Sequence, residues 1–176
     1  MKQSGPRKRQ GSPGEGSRRK RTRFAVDAMH GSLARKLRAL GFDSAYYKAG
    51  SDDEMIGSAA REGRLIVSSD RMLVARATSR GAPAILLKGK SDGIRLGEIS
   101  GGAAKLGISL KRGGSLCSLC GGELRSLSKK DVVGLVPPSV ESHHRLFYRC
   151  SRCGQIYWHG GHWKKLRSLA KRLQER

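Results

Sequence analysis

Long apolar runs are missing from this chain. None of its 176 residues belongs to a stretch approaching the roughly 18 apolar residues of a membrane span, which excludes a spanning helix. The first thirty residues also lack an apolar region followed by a small-residue cleavage site, so no secretory signal is visible. These absences predict a soluble protein in the reducing cytoplasm. Carboxylates are scarce as well: 14 Asp and Glu stand against 36 Lys and Arg, giving a formal charge of +22 and a pI of about 10.8. Cysteines number only four.

The excess charge is concentrated at the two ends. Residues 1–23 hold nine basic and one acidic side chain, residues 24–113 fifteen and nine, and residues 114–176 twelve and four. This distribution favours a polyanionic partner, because each Lys or Arg that neutralises a phosphate releases condensed counterions. A solvated basic surface and an anionic membrane face are the competing readings. Residues 1–22 are rich in Gly, Ser, Pro, Lys and Arg with almost nothing to bury, so they read as a disordered basic tail. Its clusters Arg7-Lys8-Arg9 and Arg18-Arg19-Lys20-Arg21 suit an arm that grips phosphate, and they also resemble a nuclear-localisation run.

The four cysteines fall as Cys117-Ser-Leu-Cys120 and Cys150-Ser-Arg-Cys153, two CxxC pairs separated by a 29-residue insert. Two such knuckles complete the tetrahedral four-thiolate set that Zn²⁺ prefers, which predicts a zinc ribbon over residues 114–163. A closed site of this kind has no open coordination position, so its metal is structural. Two disulfides are the alternative in an oxidising compartment.

Between the charged ends the chain alternates short apolar runs with helical patterns, and residues 23–113 read as one domain. Phe24-Ala25-Val26, Ala45-Tyr46-Tyr47, Leu65-Ile66-Val67 and Ala84-Ile85-Leu86-Leu87 are strand-like. Leu33, Leu37 and Leu40 recur at helical spacing, with Arg35, Lys36 and Arg38 expected to face outward. Ser51-Asp52-Asp53-Glu54 has capping-box form, and a third helix follows over residues 71–80. Residues 92–110 suggest another helix, interrupted at Gly101-Gly102. Strand and helix in alternation imply an α/β fold with a parallel sheet covered by helices in three layers.

In such a sheet, functional groups gather at the carboxyl ends of the strands. Asp27 ends the first strand, Asp70 follows the third, and Asp53 opens the helix between strands two and three. Singly, each also reads as a helix cap or a dipole partner. Together they would repel one another unless a Mg²⁺ or Mn²⁺ ion bound among them.

These stretches resemble the PIN-like nucleases, and more narrowly the C-terminal RNase domain family of the mutator-seven exonucleases. The matching residues are Phe24-Ala-Val-Asp27-Ala-Met29, Gly31 through Asp43, Asp52-Asp53-Glu54 and Leu65-Ile-Val-Ser-Ser-Asp70-Arg71. In the ribbon they are Val136-Pro137-Pro138, Phe147, Cys150 through Gly154, and Tyr157-Trp158-His-Gly-Gly-His162-Trp163. The resemblance implies metal-dependent hydrolysis of RNA phosphodiester bonds by an endoribonuclease, with Asp27, Asp53 and Asp70 as catalytic acids and ligands to Mg²⁺ or Mn²⁺. Asp52, His30 and Arg71 would stand behind the metal or contact phosphate. The chain departs from the family pattern in three places. Ser68-Ser69-Asp70-Arg71 replaces a Thr-Arg-Asp-Arg-like run, His30 stands where an apolar residue is usual, and Met72 stands where many PIN domains have a fourth acid.

Beyond the ribbon, Leu166, Leu169 and Leu173 make an apolar stripe among Lys164, Lys165, Arg167, Lys171 and Arg172. Residues 164–176 therefore read as a helix docked by its leucines and offering its basic face to RNA. The expected partners are RNA, including ribosomal RNA or the ribosome, and no membrane. PIN-like domains often pair, which admits a homodimer. The alternative function is a non-catalytic RNA-binding or ribosome-associated protein that keeps the fold.

Overall fold

The alternation seen in sequence becomes a four-stranded parallel sheet in a computed structural model that describes residues 21–171 and 173. The expected tail, with Arg18, Arg19 and Lys20, lies outside the described residues except at its last two positions. In chain order the elements are β1 (Arg23–Asp27), a 3-10 turn (Ala28–His30), α1 (Gly31–Ala39), β2 (Asp43–Tyr47), α2 (Asp52–Glu62), β3 (Leu65–Ser68), α3 (Arg71–Ser79), β4 (Ala84–Leu86) and α4 (Asp92–Lys105). The sheet order is β2-β1-β3-β4.

The two central strands are buried on both faces, which is why they read as unbroken apolar runs. Side chains alternate across the sheet. Phe24, Val26, Leu65 and Val67 join Leu33 and Leu37 of α1 and Leu96 and Ile99 of α4 in one core. Ala25 and Ile66 face the other way, onto Met55, Ile56 and Ala59 of α2 and Leu73 and Ala77 of α3. The result is three layers. The capping box holds: Ser51 Oγ accepts from the Glu54 amide, and the Glu54 carboxylate accepts from the Ser51 amide. Gly63 then ends α2 with a left-handed φ of 61°.

Two expectations need correction. The fourth helix is not interrupted at Gly101-Gly102 but runs through both glycines. A Cβ added at Gly102 would meet Ile85 side-chain carbons at 2.8, 2.9 and 3.0 Å, so the bare backbone is what lets α4 lie close to β4. Arg38 also does not face outward. Arg35 is exposed and Lys36 half-buried, but Arg38 is buried.

The ribbon is a second, antiparallel sheet of β5 (Leu124–Leu127), β6 (Phe147–Cys150) and β7 (Ile156–Trp158), in that order. Its insert carries a 3-10 turn (Lys130–Val132) and α5 (Pro138–His143), with Val132 and Phe147 fully buried. The last helix, α6 (Gly161–Lys171), returns to the parallel sheet. Leu166, Leu169, Ala170 and the buried Leu173 pack on the core around Phe24 and Leu96. No helix among the described residues is long and apolar enough to cross a membrane.

Gly102→Ala should destabilise the protein despite the roughly 1 kcal/mol gain in helix propensity that Ala normally brings over Gly. Urea unfolding should register a net loss, and adding Ile85→Ala, which removes the atoms the new methyl meets, should make the pair less costly than the sum of its parts.

Candidate active site and metal centre

Each knuckle is a tight turn closed by glycine. The Gly121 amide donates to Cys117 O and the Gly154 amide to Cys150 O, with left-handed φ values of 76° and 74° that only glycine adopts freely. The turns bring the sulfurs together: Cys117 and Cys153 are 3.5 Å apart, as are Cys120 and Cys150, and all four lie within 4.8 Å of one another. Zinc–sulfur bonds of roughly 2.3 Å in a tetrahedron require edges of about 3.8 Å, so the set fits one ion. The cysteines are free thiols.

Electrostatics agree with a cation there. Burial opposes ionisation of Cys120, but Arg152 beside it and the Gly122 amide bring it down to about 6. The Gln155 amide draws Cys153 down, yet burial and the neighbouring thiols push it up to about 12. Four thiols this close cannot all ionise without a positive charge among them. Burial and Cys117 raise Tyr157 to about 12, so its hydroxyl stays protonated beside Cys117 Sγ, 3.0 Å away. The described histidine side chains of the ribbon stand elsewhere: His143 is bonded to Ser139 O, His144 packs near Trp158, and His159 packs near Tyr148.

Arg38 joins the ribbon to the α/β domain. Its Nε donates to Ser44 O at 2.8 Å, and its Nη1 donates to Leu119 O at 2.7 Å and Ser118 O at 3.2 Å. The Leu116 amide in turn donates to Arg38 O. Acceptors on the knuckle backbone, which helical periodicity cannot register, explain why this arginine is buried.

At the carboxyl edge of the parallel sheet, Ser68 organises two of the expected acids. Its buried hydroxyl donates to Asp27 Oδ2 at 2.6 Å and accepts from the Asp70 amide at 2.9 Å. Asp70 caps α3, its Oδ1 accepting from the Met72 and Leu73 amides. Asp27 Oδ1 and Asp70 Oδ2 have no partner among the described residues. Beside them, His30 is buried with its Nε2 2.9 Å from Ser69 Oγ.

Asp53 is turned toward α3. It is exposed and paired with Arg80 at 2.8 Å and Arg76 at 3.5 Å, while Asp52 meets Arg76 at 2.9 Å. Among the described residues, the four cysteines are the one group of three or more candidate ligands gathered within 4.8 Å. Arg71 is exposed, and Arg21 is half-buried over Gly113. Lys165 is exposed on α6; the side chain of Lys164 lies outside those described.

Two residues near this edge escaped sequence reasoning. Ser68 carries no role in the sequence beyond preceding Asp70, although a polar residue closing an apolar run is itself a signal. Asp92 opens α4 and binds Ser32, Lys36 and Arg95 with a carboxylate only 8% exposed. Burial opposes its ionisation, but these donors hold its pKa below the usual value. Ser91-Asp92 after an apolar run repeats the Ser51-Asp52 pattern and was its available signal.

An α/β domain with carboxylates at its carboxyl edge and an appended four-cysteine metal ribbon defines the class. Within it, the chain belongs to the Mut7-C RNase domain family, whose model matches residues 22–170. That membership supports an RNase-type function, with RNA as the substrate it implies. Comparison with curated proteins and with solved structures found no match.

Arg38→Leu would leave three carbonyls without their donor, and should lower unfolding stability by about 1–3 kcal/mol and speed metal loss to a chromogenic chelator. Cys150→Ser should abolish stoichiometric metal content, read by elemental analysis, and lower the melting temperature; unchanged values would refute a four-thiolate centre.

Proposed function

We propose that the chain is a ribonuclease that hydrolyses RNA phosphodiester bonds using a Mg²⁺ or Mn²⁺ ion held at the carboxyl edge of the parallel sheet. The observation that carries this reading is the fixing of Asp27 and Asp70 on one buried hydroxyl, Ser68, with a carboxylate oxygen left over on each. Oxygen donors of this kind suit a hard divalent cation. Such an ion would lower the pKa of water so that hydroxide is available to attack phosphorus near neutral pH, and would offset the charge that builds on the phosphate.

The chain's own residues do the positioning. Ser68 fixes the rotamer of Asp27, and the first amides of α3 fix Asp70. Asp53 adds a third carboxylate once it exchanges Arg80 and Arg76 for the cation. Exposed ion pairs contribute only about 0–1 kcal/mol, so that exchange costs little. Asp52 keeps hold of Arg76, and exposed Arg71 and buried His30 flank the phosphate. The cysteine ion is a structural Zn²⁺, closed to substrate. Arg21, Lys164, Lys165 and the arm containing Arg18, Arg19 and Lys20 bind the RNA backbone, in the cytoplasm.

A second reading is a non-catalytic RNA-binding or ribosome-associated protein. The engagement of Asp53 by two arginines favours it, since the third acid is then committed to structure.

Cleavage of end-labelled single-stranded and structured RNA separates the two. Activity should require Mg²⁺ or Mn²⁺, vanish in EDTA, and fall at least about 100-fold in Asp70→Asn, the scale expected when a charge-stabilising group is removed. Cleavage that survives both EDTA and the substitution would overturn the metal-nuclease reading. RNA binding without metal-dependent turnover would favour the second.

A further inference from the structure

We propose that Ser69 donates a hydrogen bond directly to a substrate phosphate oxygen, and that His30 is the positioning residue that aims its hydroxyl. This rests on the ribonuclease reading and deepens it by naming a phosphate contact of the same site.

The geometry carries the argument. His30 is 3% exposed, its Nε2 lies 2.9 Å from Ser69 Oγ, and its Nδ1 is buried without a hydrogen-bond partner. The contact joins two segments that lie 39 positions apart in sequence.

The direction of the bond follows from burial. Burial holds the His30 pKa below its ordinary value, reinforced by Arg95, while Asp27 and Asp92 pull the other way. The ring is therefore neutral near pH 7 and carries one N–H. On Nδ1 that proton would be a buried donor with no acceptor, the rarer kind of unpaired group. On Nε2 it is donated to Ser69 Oγ. The Ser69 hydroxyl then accepts from His30 and keeps its own proton, for which no acceptor is present among the described residues. Ser69 is half-buried between Ser68, which fixes Asp27, and Asp70. A phosphate oxygen brought to this edge by a cation between the acids would complete the bond.

Single-stranded RNA cleavage in Mg²⁺ should show kcat/KM reduced roughly 10- to 100-fold in Ser69→Ala, the loss expected for a hydrogen bond to a charged group. His30→Leu should fall similarly, His30→Gln, whose amide N–H can replace Nε2–H, should recover most of the rate, and His30→Leu with Ser69→Ala should be no worse than Ser69→Ala alone. Wild-type kinetics in Ser69→Ala would overturn the proposal, and that substitution at a half-buried position tests it even where His30→Leu fails to fold. Ring ¹⁵N NMR gives a reading independent of turnover: His30 should be the Nε2–H tautomer, and inorganic phosphate should shift its signals in the wild type but not in Ser69→Ala. An Nδ1–H tautomer, or an equal phosphate response in both, would refute it. If the wild type cleaves no RNA, the ribonuclease reading falls, and the NMR response alone decides the role of the pair.

Discussion

The strand order is the constraint on which the site depends. Because β1 lies between β2 and β3, the chain leaves β1 in one direction along the sheet and later crosses back to its other side. Helices covering opposite crossovers then lie on opposite faces, α1 with α4 and α2 with α3, and the change of strand direction falls between the ends of β1 and β3, where open α/β sheets form a crevice. Asp27 and His30 enter that crevice from one strand end, and Ser68, Ser69 and Asp70 from the other. The Asp27–Ser68 and His30–Ser69 bonds are consequences of this juxtaposition, and they tie together segments about forty residues apart in sequence.

Elements governed by local chemistry were legible in the sequence. The central strands announced themselves because both faces are apolar, α2 through its capping box, and the knuckles through CxxC followed by glycine. What escaped was set by neighbours distant in sequence. Gly101-Gly102 has the composition of a helix break, and only the proximity of Ile85 gives Gly102 a reason to lie within one. Arg38 has the spacing of a solvated residue, yet three carbonyls from β2 and the first knuckle bury it. The acids divide along the same line: chain position places Asp27 and Asp70 at strand ends, but the orientation of Asp53 depends on α3, where Arg76 and Arg80 meet it.

The ribbon is built into the domain at two separate points. Arg38 holds the first knuckle against the end of α1, and the leucines of α6 bury themselves in the core beneath the parallel sheet. A metal ion held by the four cysteines would order the knuckle backbone, and that backbone supplies the acceptors of Arg38, so the ion's contribution to stability would reach the α/β domain as well as the ribbon. A buried guanidinium without those acceptors would face the desolvation cost of an unsatisfied charge.

Helix α1 connects these two features. At its start His30 meets Ser69 in the crevice, and at its end Arg38 meets the metal knuckle, a span of nine residues or roughly 13 Å. Between them Leu33, Ala34 and Leu37 are locked in the core, so the helix has little freedom to tilt. A hydrogen bond that must hold a hydroxyl in one orientation needs its donor on a rigid support. The ribbon supplies part of that rigidity by fixing the far end of the helix. The metal centre would thus support the acid-bearing edge through α1, with no contact between its sulfurs and Ser69 or His30 among the described residues.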